Sequence, residues 1–145
     1  MAITAAVKPS TATGVKAGIL AGLGGGVVFG MLMAMMNMLP MVAGLVKSDS
    51  AVVGFLVHMG ISAFIGAVYG LFAGRLPANW IVVVIAGAVY GMIWWVLGAL
   101  ISMPILLGMP QMVFQIGQTQ IMSLMGHVIY GVVTALLFVP LSKRL

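Results

Sequence analysis

Long apolar stretches alternate with short polar breaks along this chain. The apolar runs cover about residues 17–46, 51–74, 80–107 and 121–141. Each is as long as, or longer than, the roughly 20 residues an α-helix needs to cross a bilayer. The breaks are Lys47-Ser48-Asp49-Ser50, a turn marked by Arg75, Pro77 and Asn79, and the stretch MPQMVFQIGQTQ at 109–120, the longest and most polar of them. Their residues favour turns and hydrogen-bond to water. The pattern predicts an all-α polytopic membrane protein: a single membrane domain, 1–145, with four transmembrane helices and a polar N-terminal segment at 1–16. No connection is long enough to fold as a separate domain. Pro40 is expected to kink or end the first helix, Pro104 lies near the end of the third, and Trp80 is placed to anchor at the interface. The first apolar run is much longer than the roughly 7–15 residues of a signal peptide, so it is expected to be retained.

Charge orients the spans. With both termini on the cytoplasmic side, that side carries Lys8, Lys16, Arg75, Lys143 and Arg144, and the opposite side carries only Lys47. This positive-inside bias predicts an N-in, C-in protein of a prokaryotic cytoplasmic membrane.

Composition narrows the chemistry. Only 5% of residues are charged, against about 25% in soluble domains. Without cysteine there is no disulfide, thiolate metal site or iron–sulfur cluster. Asp49 is the single acidic residue, which excludes paired-carboxylate hydrolysis, two-metal catalysis and carboxylate proton relays. The net charge of +5 sits at the ends of apolar runs and forms no nucleic-acid patch. Gly24-Gly25-Gly26 lacks the Lys-Ser/Thr of a phosphate loop, and Ser62 and Ser123 lack the carboxylate of a hydrolase triad. An enzymatic role for the chain on its own is not expected.

Two internal patterns stand out. Gly14, Gly18, Gly22, Gly26 and Gly30 recur every fourth residue, a glycine zipper that lets two backbones approach closely in lipid. The segment Gly26-Val27-Val28-Phe29-Gly30-Met31 is echoed by Gly87-Ala88-Val89-Tyr90-Gly91-Met92, and His58 by His127, with Tyr69 matching Phe138. These matches predict a 2+2 internal duplication with both halves in one orientation. In such a repeat the two histidines lie at one depth, about 10 Å in from the outer surface at 1.5 Å per residue.

Each histidine lies on a face of small residues: Gly54, Ser62, Gly66 and Gly70 around His58, and Ser123, Gly131 and Ala135 around His127. A polar side chain in hydrocarbon needs a partner. One reading is a haem b for electron transfer, its iron held by His58 and His127 as axial ligands. Gly54, Ser62, Ser123 and Gly131 would then leave room for the ring, and Asn37 would orient an imidazole. Phe55, Trp94, Trp95 and Tyr130 would pack on the ring, and Lys47, Ser48, Ser50, Gln115, Gln118 or Gln120 would meet the propionates. A second reading is a transporter or channel for a soft metal such as Cu(I), or for a small solute. It draws on the 14 methionines, among them Met31, Met35 and Met38 on one helical face. A third is a cofactor-free accessory subunit whose histidines bond to backbone carbonyls, Asn37 or Ser62. In each reading the partners are the bilayer and either other membrane subunits or further copies of the chain, with no nucleic acid.

Overall fold

The computed structural model describes residues 9–145; Lys8 and the start of the N-terminal segment lie outside them. It is all-helical, with no strand among the described residues. Four helices are long and apolar enough to cross a membrane: α1 (Thr11–Met35), α3 (Ala51–Ala73), α4 (Trp80–Leu106) and α5 (Gln118–Arg144). A short α2 (Leu39–Ala43) lies between the first two. The four run up, down, up and down. The upper end of the bundle carries the 36–50 and 107–117 connections, and the lower end carries the 74–79 turn.

Local chemistry sets the boundaries. The Ser10 hydroxyl accepts from the Thr13 N–H at 3.1 Å, so α1 starts at Thr11, inside the polar N-terminal segment and ahead of the apolar run. Ser50 and Asn79 cap α3 and α4 in the same way. The first apolar run is not one helix to position 46. Asn37 takes a left-handed conformation (φ 53°), the Asn37 N–H reaches the Ala34 carbonyl, and the Met38 N–H reaches that of Met33. This is the hydrogen-bond pattern of a Schellman stop, and it breaks the helix ahead of Pro40. A second such stop at Lys47 (φ 58°) ends the short 3₁₀ turn Gly44–Val46. At the start of α5, the Gln120 side chain accepts from the Gly117 N–H at 3.0 Å, so this helix begins at Gln118, earlier than position 121.

The upper third of α4 is wound as a π-helix over Trp95–Ser102. Ser102 Oγ donates to the Leu97 carbonyl five residues back, at 2.6 Å, in keeping with that pitch. Pro104 brings no N–H to this ladder. The Leu100 carbonyl accepts from the Phe114 N–H at 3.1 Å, which fastens the upper connection to α4.

Glycine governs the packing. Gly14, Gly18 and Gly22 of α1 lie against the backbone of Gly70, Gly66 and Ser62 of α3; a Cβ at Gly22 would stand 2.5 Å from the Ser62 carbonyl oxygen. Gly87 and Gly91 of α4 meet Gly131 and His127 of α5 in the same manner. The α1–α5 seam is also tight: Gly25 faces Tyr130 and Thr134, and Gly126 leaves space for the Phe29 ring. The fourth seam, between α3 and α4, is different. In its lower half aromatic rings fill it, with Tyr69 and Tyr90 5.0 Å apart and the Tyr90 hydroxyl donating to the Ile65 carbonyl. In its upper half the two helices part.

Candidate functional site

The parting of α3 from α4 opens a cavity of about 370 Å³ in the upper half of the bundle. Ile61, Phe64 and Ile65 of α3 form one wall, and Trp94, Gly98, Ala99, Ser102 and Met103 of α4 form the opposite one. Met38, Met41 and Val42 from the α2 region, with Met109 and Met112 from the upper connection, lie above. The floor collects the polar groups: His58 and Ser62 from α3, Ser123, His127 and Tyr130 from α5, with Phe29 of α1 among them. The Trp95 indole N–H donates to the Gln120 carbonyl at 2.8 Å and so ties the π-helical wall to the top of α5.

Both histidines reach this floor, and each ring is fixed by a backbone carbonyl. A carbonyl oxygen only accepts, so the ring nitrogen facing it carries the hydrogen. His58 Nε2 lies 3.0 Å from the Gly26 carbonyl of α1, with Ser62 Oγ 3.4 Å away. His127 Nδ1 lies 2.8 Å from the Ser123 carbonyl one turn back on α5, with Ser123 Oγ at 3.3 Å. His58 is buried, while His127 is half-buried against the cavity. The Tyr130 hydroxyl crosses the bundle to the Ser62 carbonyl at 2.8 Å and braces the floor from below.

One ring touches both imidazoles. The Phe29 centroid is 5.3 Å from that of His58 and 4.9 Å from that of His127, edge-on to both. A hydrocarbon ring thus packs against both imidazoles. As held here, these residues do not fit an iron porphyrin shared by both histidines. Phe29 packs edge-on against both would-be ligands, and His58 Nε2 is engaged with Gly26. The small residues expected to make room for the ring face backbone or a hydrogen bond instead: Gly54 lies against the Leu39 carbonyl, Ser62 against Gly22 and Gly26, and Gly131 against Gly87. Ser123 serves His127. Asn37 is exposed in its turn and makes no side-chain hydrogen bond among the described residues.

The remaining expected contacts divide. Trp94 and Tyr130 line the cavity, as does Gln120. Phe55 packs instead at Gly30, and Trp95 points its N–H toward α5. Lys47, Gln115 and Gln118 are exposed, and Ser48 accepts from the Ser50 N–H. Two features had no expectation attached: the place of Phe29 and the π-helical wall. The signal for the first is Gly126, directly before His127, where even a Cβ would strike the Phe29 ring. No known protein family, curated protein or solved structure matches the chain.

Proposed function

We propose that this is an integral membrane protein that binds a small apolar molecule in the cavity between α3 and α4, with both termini on the cytoplasmic side and the cavity in the outer half of the bilayer. The observation that carries the reading is the cavity itself: an apolar space of about 370 Å³ with a few convergent polar groups on its floor. Small-molecule sites have this character, and about 300–1,000 Å³ is their usual range. A π-helical stretch forms part of its wall, a distortion that recurs at functional sites.

The orientation rests on the charge bias of the sequence. The 2+2 duplication is supported by equivalent contacts: Gly26 with Ser62 and Gly30 with His58 in the first half, Gly87 with Gly131 and Gly91 with His127 in the second. On that view the two halves share a helix pair, and the fourth seam, opened above Tyr90, is where the twofold is broken to admit a ligand.

A second reading has its own support. Met33, Met38, Met103 and Met109 line the same space as both histidines, and thioether and imidazole suit Cu(I). The volume favours an organic molecule over a bare ion.

The test is to fill the cavity. Ala99→Trp adds a large ring from the α4 wall. Solvent extracts of the purified wild-type protein are expected to hold a small apolar molecule in near-stoichiometric amount that is missing from a folded Ala99→Trp variant. Identical extracts would overturn the reading. Copper that co-purifies with the wild type and is lost with Met103→Leu would favour the metal instead.

A further inference from the structure

We propose that the occupant of this cavity is a phenol-type amphiphile, a flat ring bearing a hydroxyl group and a short apolar tail, whose O–H donates to His127 Nε2. The proposal rests on the cavity being a binding site and adds the chemistry that the site selects.

The hydrogen-bond arithmetic of His127 comes first. Nδ1 is committed to the Ser123 carbonyl at 2.8 Å and must carry the hydrogen. No carboxylate lines the cavity, and Asp49 is the only acidic residue of the chain, so nothing there pairs with an imidazolium. The ring is therefore neutral and Nε2 is a bare lone pair. It has no hydrogen-bond partner among the described residues. It is turned toward the α4 wall, where a Cβ on Gly98 would come no closer than 4.0 Å. The absence of a side chain at Gly98 keeps that approach open. An unpaired acceptor in an apolar space selects a donor, because any occupant lacking one leaves the lone pair desolvated.

The walls supply the rest of the description. Phe29, Phe64, Trp94 and Tyr130 present ring edges and faces around the floor, the setting in which a flat aromatic head gains from edge-to-face contact. Above them Met38, Met103 and Met109 offer flexible thioethers, which adapt to a tail of no fixed shape. Ser62 Oγ and the Tyr130 hydroxyl are already turned to His58 and to the Ser62 carbonyl. Two bare imidazole nitrogens are left, His58 Nδ1 by the same tautomer argument and His127 Nε2. His127 is the less buried of the two rings and the one turned to the α4 wall, so its Nε2 is the group assigned to read the ligand.

The experiment compares 4-hexylphenol with 4-hexylanisole, which share a shape and differ in the hydroxyl hydrogen. Both are titrated calorimetrically into the full chain in lipid nanodiscs, with empty nanodiscs subtracted. The phenol is expected to bind about ten-fold more tightly than the ether, a factor set by one hydrogen bond to a buried acceptor. His127→Phe is expected to abolish that preference and leave ether binding in place. In a spectrum of ¹⁵N-histidine-labelled wild type, the unprotonated Nε2 resonance should move on adding the phenol and stay still with the ether. Equal affinity of the wild type for both probes, or a preference that survives His127→Phe, would overturn the phenol proposal while leaving the cavity as a binding site. Failure of both probes to bind a wild-type protein whose extract holds some other molecule would overturn it too. Failure with an empty extract would remove the binding site itself.

Discussion

Phe29 and His127 meet edge to ring at 4.9 Å, and the same ring stands 5.3 Å from His58, so one side chain of α1 touches both imidazoles. The ring that the histidines share also forms part of the cavity floor.

Shortening that ring should be felt at both histidines. Phe29→Ala removes a buried aromatic side chain, and changes of this kind cost about 3–5 kcal/mol in soluble cores. The expected outcome is a lowered unfolding midpoint in a mixed-micelle titration, with the imidazole resonances of His58 and His127 both displaced. Haem added to the wild-type protein is expected to leave no six-coordinate low-spin spectrum. Such a spectrum, lost in both His58→Ala and His127→Ala, would show that Phe29 swings aside.

Glycines of the α1–α3 seam should differ sharply from those on the lipid side. A side chain at Gly66 would meet the backbone of Gly18 and Gly22, whereas nothing lies within 4 Å of a Cβ at Gly60. Gly66→Val is expected to destabilise by at least the roughly 1–3 kcal/mol typical of overpacking. Gly60→Ala should be neutral or slightly stabilising, because the helix gains propensity and nothing is struck. Unfolding midpoints of the two variants side by side check this.

The cross-bundle bond from Tyr130 should prove modest. Its hydroxyl gives Ser62 a second partner on a carbonyl that lies within a continuous helix. Tyr130→Phe is expected to cost about 0.6 kcal/mol, the average for side-chain hydrogen bonds between membrane helices. A much larger loss would mean that the hydroxyl also serves the cavity, and ligand affinity would fall with it.

Thr134 should behave in the opposite sense. Its hydroxyl is fully buried beside Gly25 and makes no hydrogen bond of standard geometry to any partner among the described residues. Thr134→Val keeps the shape and removes the unsatisfied group, so a stability gain of up to about 1 kcal/mol is expected from the same titration.

Topology is directly accessible because the chain has no cysteine. Single cysteines at Ser48 and Gln115 should react with an impermeant maleimide added outside intact cells. Cysteines at Asn79 and Ser142 should react only after the membrane is opened.

The sequence carries the spans and much of their packing. Uninterrupted apolar runs, bounded by Ser50 and Asn79 as caps, mark α3 and α4 closely. The four-residue glycine spacing of α1 becomes a backbone seam because lipid offers no reason to keep such helices apart. The ends of α1 were hidden, since they depend on a single serine hydroxyl and on Asn37 accepting a left-handed turn, and neither alters the apolar pattern. The floor was half legible. Histidines in an apolar run announce themselves, but their partners are carbonyls of Gly26 and Ser123, which no residue type discloses. Phe29 reads as one more apolar residue in a greasy helix. Only the three-dimensional crossing of α1 against α5 puts its ring against both imidazoles.

One backbone bond reaches further than its own helix. The Leu100 carbonyl accepts from the Phe114 N–H, and so the strip of chain above the cavity is stitched to the α4 flank. Flank and canopy are then expected to move as one piece. Were the proposed ligand to enter, the direct way to water would be covered by whatever moves with α4, and the easier doorway would lie sideways, among the acyl chains.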